Sequence, residues 1–426
     1  MSIGETTDLY SRRESEARSY CRAFPVSFTQ ARNATLTDVD GRDYTDFLAG
    51  CSSLNYGHND ADMKAALIDH ISRDGVTHGL DMHTDAKEAF LDAFERLILA
   101  PRGMSHKVMF TGPTGTNAVE AAMKLARKTT GRETIIAFTN GFHGMTMGAL
   151  AATGNAGKRG GAGMALQGVA RMPYEGAMEG VDSLAMIRAM LENPSSGIDA
   201  PAAFLIEPVQ GEGGLNAASA EFLQGLQALA REHGILVIMD DIQAGIGRTG
   251  PFFSFEGMGI EPDLIPLAKS LSGMGLPMAA LLIRPDLDVW KPAEHNGTFR
   301  GNNHAFVTAR VALEKFWADD AFQKQTEAKA AFLSERLSRI AKTVPGAKLK
   351  GRGMMQGIDV GSGDLAADIC ATCFKHGLII ETSGAHDEVV KVLAPLTIPQ
   401  EQFATGLDIL ENAVQTSLGS QQIAAE

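Results

Sequence analysis

The chain is short of cysteine, of clustered basic residues and of long apolar runs, and each shortage excludes a class of protein. Four cysteines in 426 residues, at positions 21, 51, 370 and 373, are too few for a disulfide framework and fit a reducing compartment. Cys370 and Cys373 form a CxxC, which is open to a redox or metal role. No second CxxC or nearby His pair completes a zinc site, so two thiols one turn apart on a helix over 365–376 is the simpler reading, and no metal is expected. Lys and Arg nowhere gather into a patch and the net charge is −13, which opposes binding to a phosphate backbone; nucleic acid is not an expected partner. The longest strongly apolar strand-like run, Ile235–Met239, is far short of a membrane span, and the polar stretch Ser2–Arg22 lacks the apolar core of a secretory leader. A cytoplasmic protein without a membrane partner is expected. Repeats and low-complexity segments are also missing.

What is present is enough apolar residue, 44%, to fill a sizeable core, on a chain long enough for two or three packed units. Through the middle, short β-rich runs alternate with helical periodicity. Val108–Phe110, Thr134–Phe138 and Ala203–Ile206 read as strands, and Thr116–Lys128 as a helix. Phe222, Leu223, Leu226, Leu229 and Ala230 recur at helical spacing up to Gly234, and the fully apolar Ile235–Met239 follows. An apolar strand without alternation is one covered on both faces, so this region predicts a doubly wound α/β domain with a mainly parallel sheet. Ligands in such domains sit beyond the carboxyl ends of the strands. After about residue 310 the pattern changes to one long helical stretch, roughly 304–341. A strand over 351–360 then enters a smaller α+β unit. Asp40-Gly41 marks a hairpin near the N-terminus. The expected division is 1–57 packing with the small unit, 58–310 as the large domain and 311–426 as the small one.

Three segments carry chemistry. In Thr111-Gly-Pro-Thr-Gly-Thr-Asn-Ala-Val-Glu120 a strand ends, a Gly-rich turn follows and a helix begins. The unpaired N–H groups and dipole at that helix start favour an anion, Gly115 allows close approach and the Thr116 hydroxyl adds a donor; many such turns only cap a helix. In Met239-Asp-Asp-Ile-Gln-Ala-Gly-Ile-Gly-Arg-Thr-Gly250 two carboxylates follow a buried strand. That pair is open to three readings: a Mg²⁺ site, plain turn chemistry, or a carboxylate paired with a pyridinium nitrogen. In the third segment Lys269 ends an apolar run, just before Ser-Leu-Ser-Gly-Met-Gly. It is either a snorkelling surface lysine or a desolvated one whose lowered pKa makes it a Schiff-base nucleophile.

Taken together, in this order, the segments resemble class III (ω-type) aminotransferases of fold-type I, which bind pyridoxal 5′-phosphate (PLP). The family's DEVQ-x-G-x-GRTG stretch is matched by Asp240–Gly250, and Lys269 follows at the family's spacing. The resemblance covers nearly the whole chain. It implies PLP on Lys269, which also shuttles the proton, Asp240 on the ring nitrogen, Ile242 against one ring face and Phe142 of Gly141-Phe-His-Gly144 on the other. It further implies Gln243 near the ring hydroxyl and Gly115 and Thr116 on the phosphate. Thr298, in His295-Asn-Gly-Thr-Phe-Arg-Gly-Asn302, would reach the phosphate of a second copy, making a homodimer the minimal unit. Glu207-Pro-Val-Gln-Gly-Glu-Gly-Gly214 and Asn55-Tyr-Gly-His58 resemble pocket segments, placing Glu207, Glu212, Asn55 and Tyr56 at the substrate. His58 and His143 read as structural histidines. Two departures stand out: Met145 replaces an arginine of FHGRT, and Lys391 stands where relatives carry an arginine, without the bidentate fork. Arg300 and Lys391 are therefore expected to bind the 2-oxo acid, with Glu212 shielding Lys391 when a cationic amine is bound. Phrases such as Cys51-Ser-Ser-Leu-Asn-Tyr-Gly57 and Gly250-Pro-Phe-Phe-Ser-Phe-Glu256 match family members acting in ectoine synthesis. The implied reaction takes glutamate and aspartate β-semialdehyde to 2,4-diaminobutyrate and 2-oxoglutarate. The rivals are another ω-aminotransferase (ornithine, 4-aminobutyrate or acetylornithine), an aminomutase and a non-catalytic PLP-binding protein.

Overall fold

The structure, a computed structural model, describes residues 9–425, with side chains to residue 419; the first eight residues of the polar N-terminal stretch lie outside it. Its centre is a seven-stranded sheet built from β1 (Lys107–Phe110), β2 (Ile135–Phe138), β3 (Val169–Met172), β4 (Ala203–Ile206), β5 (Leu236–Met239), β6 (Leu264–Leu267) and β7 (Ala280–Ile283). The order across the sheet is β1-β7-β6-β5-β4-β2-β3. Only β7 runs antiparallel to its neighbours β6 and β1; the other pairings are parallel. The continuous apolar runs have a direct cause. Ile136, Phe138, Phe204, Ile206, Val237 and Met239 face one core, while Ile135, Ala137, Ala203, Leu205, Leu236 and Ile238 face another on the opposite side. A period of two therefore produces no polar face, because helices bury both. Helix Gly115–Thr130 covers the second core with Val119, Ala122 and Leu125. Helix Ala220–His233 covers the first with Phe222 and Leu226, and it ends on Gly234 at φ 61°.

Two expectations need correction. The stretch 304–341 is two helices, Asn303–Phe316 and Ala321–Ala341. The break comes at Trp317, whose φ of −124° leaves the helix. Its indole is buried edge-on to Phe252 and Phe322 and donates to the Tyr56 hydroxyl at 2.7 Å, so packing of that ring outweighs helix continuation. Residues 351–360 are not one strand. They span the turn of a hairpin between Lys348–Arg352 and Met355–Asp359, reversed at Gly353 with φ 65°. A Cβ there would lie 2.4 Å from the Thr249 Cα.

Two small sheets complete the chain. In one, Phe28–Arg32, Thr35–Asp38 and Asp43–Asp46 form antiparallel hairpins, the second turning through Asp40-Gly41, and Leu378–Ile379 adds in parallel to Asp43–Asp46. In the other, the 348–359 hairpin pairs with Val389–Val392, which pairs with Glu381–Ser383. Among the described residues no helix is long and apolar enough to cross a membrane.

Candidate active site

A cavity of about 490 Å³ opens where the carboxyl ends of β4, β5 and β6 meet the start of helix Gly115–Thr130. Gly115, Thr116, Phe142, Glu207, Asp240, Ile242, Gln243 and Lys269 all line it, together with His143 and Ser53. The N–H groups of Gly115 and Thr116, first in the helix, have no acceptors within it, and both residues line this space, while the Asn117 N–H is taken by the Thr114 carbonyl at 3.0 Å. A Cβ on Gly115 would come within 3.0 and 3.1 Å of the Ile242 side chain, so glycine is what keeps this end of the cavity open. The Thr116 hydroxyl is oriented by Thr146 at 2.8 Å.

The two adjacent carboxylates diverge. Asp241 points into the core, where it accepts from the Ser254 N–H at 3.1 Å and from the Ser254 hydroxyl. Burial pushes it up to about 7. That removes it from any Mg²⁺ pair with its neighbour. Asp240, 4% exposed, turns to the cavity and is hydrogen-bonded through Oδ2 to His143 Nδ1 at 2.7 Å. Burial opposes charge on His143, but the Asp240 hydrogen bond and charge outweigh it and raise the imidazole pKa. His143 thus orients the carboxylate that the sequence motif carries. The motif alone gives this histidine no partner, because β2 and β5, which bring the two together, lie about a hundred residues apart.

Lys269 follows β6 on a short 3₁₀ turn, Lys269–Ser272, and its own backbone is left-handed at φ 52°. A non-glycine residue is held there only by its surroundings. The hold is visible: the Ser270 hydroxyl donates to the Ser52 carbonyl at 2.7 Å and accepts from the Asn55 N–H at 2.9 Å, while Thr308 donates to the Ser272 carbonyl at 2.6 Å. Removal from water holds the Lys269 amine below its ordinary pKa. Glu207 is 6% exposed and accepts from the Phe142 N–H at 2.8 Å and the Gly211 N–H at 3.4 Å; burial pushes it up to about 7. It fixes the Phe142 loop at the cavity wall.

Other expected residues lie elsewhere. Asn55 is 1% exposed with its amide fully used: Nδ2 donates to the Ile246 carbonyl at 2.9 Å, and Oδ1 accepts from Arg248 at 2.7 and 3.2 Å. It holds the lysine turn from behind and does not face the cavity. Tyr56 is a core residue, 3% exposed, stacked on Phe316. Arg300 points away, bound to Asp81 at 2.6 Å beside a separate cavity with Lys107 and Trp290. Thr298 is exposed on a surface loop. Lys391 has no exposed side chain and sits between Glu381 Oε1 at 2.8 Å and Glu212 Oε1 at 3.1 Å. Burial would lower its pKa, but the two carboxylates raise it; Glu212 in turn, against its own burial, is drawn down to about 2 by Lys391 and Lys269. Gln243 Nε2 donates to Glu212 at 3.3 Å and to the Cys51 carbonyl at 3.3 Å, which joins this cluster to the main cavity. Lys158, 4.3 Å above the Phe142 ring, borders an adjoining cavity of about 260 Å³ with Glu212 and Ser383; no local pattern in the sequence marks it.

The chain matches the family model "Aminotransferase class-III" over residues 17–414. Diaminobutyrate–2-oxoglutarate transaminase of Vibrio cholerae is 56% identical over 409 residues, covering 96% of this chain and 99% of that protein. The protein of the same name from Halomonas elongata is 53% identical over 415 residues, covering 96% and 99%. Ornithine aminotransferase of Toxoplasma gondii, described with partial occupancy of PLP at its active site, superposes with a TM-score of 0.85 at 26% identity, over 99% of this chain and 96% of that one. With a match that spans the cavity-forming segments and nearly all of the rest, the chain belongs to the class III aminotransferases.

Proposed function

We propose that this chain carries PLP on Lys269 and transfers an amino group between L-glutamate and L-aspartate 4-semialdehyde, giving L-2,4-diaminobutyrate and 2-oxoglutarate, a step of ectoine synthesis. The observation that carries the reaction is the identity of 51–56% to diaminobutyrate–2-oxoglutarate transaminases over nearly the full chain. The cavity supports the cofactor. Gly115, the helix start and Thr116 form an anion cradle, Phe142 and Ile242 line two walls, and Asp240 supplies a carboxylate for a ring nitrogen with Gln243 beside it. When bound, PLP supplies the aldehyde carbon on which amines exchange and a ring that withdraws electrons. The chain's own residues do the rest. Asp240, oriented by His143, keeps a proton on the ring nitrogen. Lys269, poorly solvated, would take a proton from the substrate carbon bearing the amine and deliver it to the carbon on the far side of that nitrogen, two atoms away. Phe142, pinned by Glu207, excludes water from one side.

The enzyme is read as a cytoplasmic homodimer. Phe299 is 67% exposed, and Leu80 and Met82, on the segment that lies against the Thr298 loop, are exposed too. His78 pairs with Asn302 and touches Phe299, so these segments form one face. An apolar face of this kind suits a second copy whose phosphate cradle Thr298 would reach.

The test mixes glutamate with aspartate 4-semialdehyde and follows 2-oxoglutarate, with ornithine and 4-aminobutyrate as rival donors for the reverse direction. The semialdehyde is expected to be the preferred acceptor. The wild type should show a visible absorbance band with added PLP that Lys269→Ala loses. A band without turnover, or preference for ornithine, would overturn the reading.

A further inference from the structure

Both amino donors of the proposed reaction carry carboxylates, and a carboxylate leaving water for a closed site needs a cation. The two cations expected from the sequence do not supply one. Arg300 is bound to Asp81 beside a separate cavity. The Lys391 side chain is 0% exposed and is held by Glu381 at 2.8 Å and Glu212 at 3.1 Å, which corrects the expectation that it takes a substrate carboxylate directly. Met145 lines the main cavity and carries no charge. Among the described residues, Lys269 is the one lysine or arginine lining that cavity, and its amine is the one proposed to carry PLP.

Lys158 is the one lysine or arginine lining the adjoining cavity of about 260 Å³. Phe142 borders both spaces, so they meet at its ring, and Lys158 Nζ lies 4.3 Å from the ring centre. The backbone fixes this arrangement. The Gly154 N–H donates to the Gly141 carbonyl at 2.7 Å, and a Cβ on Gly154 would lie 2.9 Å from the Asn140 nitrogen, so the segment leading to Lys158 is pressed against the Phe142 loop. The Asn155 side chain then accepts from the Lys158 N–H at 2.9 Å. Lys158 is half-buried, yet among the described residues its amine makes no hydrogen bond or ion pair. The carboxylates bordering the same cavity do not take it: Glu212 is turned to Lys391 and Gln243, and Asp387 is exposed. Against its own burial, Glu212 is drawn down by Lys391, by Lys269 and also by Lys158, so the amines of Lys269 and Lys158 bear on one carboxylate from either side of the junction. A half-buried ammonium resting only on a ring face is short of a counter-ion.

We propose that Lys158 binds the substrate carboxylate farthest from the reacting amine, and that it does so for both amino donors. This deepens the functional reading above and rests on it. In 2,4-diaminobutyrate the carboxylate stands three bonds from the carbon bearing the reacting amine. In glutamate the distal carboxylate stands at that same distance. One ammonium beside the Phe142 ring therefore serves both half-reactions without rearrangement, and the chain needs no second anchor for the group the two donors share.

The experiment compares wild type, Lys158→Met and Lys158→Arg. The half-reaction of the PLP-loaded enzyme is followed through its visible band with glutamate, diaminobutyrate and glutamine, the last being glutamate with an uncharged distal end. Lys158→Met should raise KM for glutamate and for diaminobutyrate by about ten- to a hundred-fold, the usual reach of a charge-assisted hydrogen bond. The preference for glutamate over glutamine should shrink by the same factor, and Lys158→Arg should recover part of it. Calorimetric titration with glutarate, which has glutamate's chain and both carboxylates but no amine, gives a readout without turnover; its Kd should rise in Lys158→Met by a similar factor. An unchanged KM for either donor, or unchanged glutarate binding, overturns the inference. So does an equal loss on glutamate and glutamine, which would assign Lys158 to holding Phe142 in place. A wild type active with glutamate but inert toward diaminobutyrate overturns the functional reading, while the glutamate, glutamine and glutarate measurements still decide whether Lys158 holds the distal carboxylate.

Discussion

Asp240 and Asp241 are chemically identical neighbours, and their surroundings give them opposite duties. Asp240 meets an imidazole at a cavity wall; Asp241 meets a serine inside the core. Replacing Asp240 with Asn keeps the shape but cannot hold a proton on a ring nitrogen through charge. The rate of the half-reaction with glutamate should fall about 10²- to 10³-fold, with folding unchanged by circular dichroism. Asp241 gives a pH prediction whose sign follows from its raised value. Its ordinary pKa is 3.8 and its folded one about 7, so in that window the unfolded chain binds fewer protons than the folded one. The stability it contributes is complete below about pH 4 and is lost as pH rises through 7, a difference on the order of 4 kcal/mol. Denaturant midpoints at pH 5 and pH 8 should therefore differ less in Asp241→Asn than in wild type, with Glu207 supplying part of the slope that remains. At this scale Lys269, the strand-end carboxylate Asp240 and Gly115, which line one cavity, were legible as candidates in the sequence, because each sits inside a local pattern. The Glu381–Lys391 pair and the bond from His143 to Asp240 were not, because their partners are set by strand pairing across the fold.

Between elements, Arg248 is the joint. It is fully buried, and its guanidinium donates to the Asn55 side chain, to the Met354 carbonyl at 3.2 Å and to the Ala394 carbonyl at 2.6 Å. One side chain thereby ties the loop after β5 to the 348–359 hairpin, to the segment after Val389–Val392 and to the residue that supports the lysine turn. Burial draws its pKa down to about 9, against the pull of Asp46. Arg248→Ala strands several buried acceptors, and the urea midpoint should report a loss of about 3–5 kcal/mol. Activity should suffer as well, since Asn55 then loses its anchor. The same scale explains which elements could be read in advance. β4, β5 and the helix ending at Gly234 announce themselves through apolar runs and a glycine stop. The hairpin at Gly353 did not, because its turn depends on close contact with Thr249 rather than on a residue pair typical of turns. The break at Trp317 depends on where a single ring packs.

For the whole molecule, the exposed apolar face around Phe299 yields a prediction about assembly. Phe299→Asp places a charge where a second copy is proposed to dock. Light scattering should then give half the wild-type mass, and the variant should release PLP more readily on dialysis, because Thr298 no longer reaches a neighbouring cradle. A wild-type mass retained by the variant would count against that face.

The parallel pairing of Leu378–Ile379 with Asp43–Asp46 bears on how the chain is made. The two partners are more than three hundred residues apart, so a strand edge finished early in synthesis waits bare until nearly the last stretch leaves the ribosome. An open edge of that kind recruits other chains. Nascent copies should therefore lean on holding chaperones, and fragments truncated before residue 378 should precipitate even though every strand of the large sheet is already present in them.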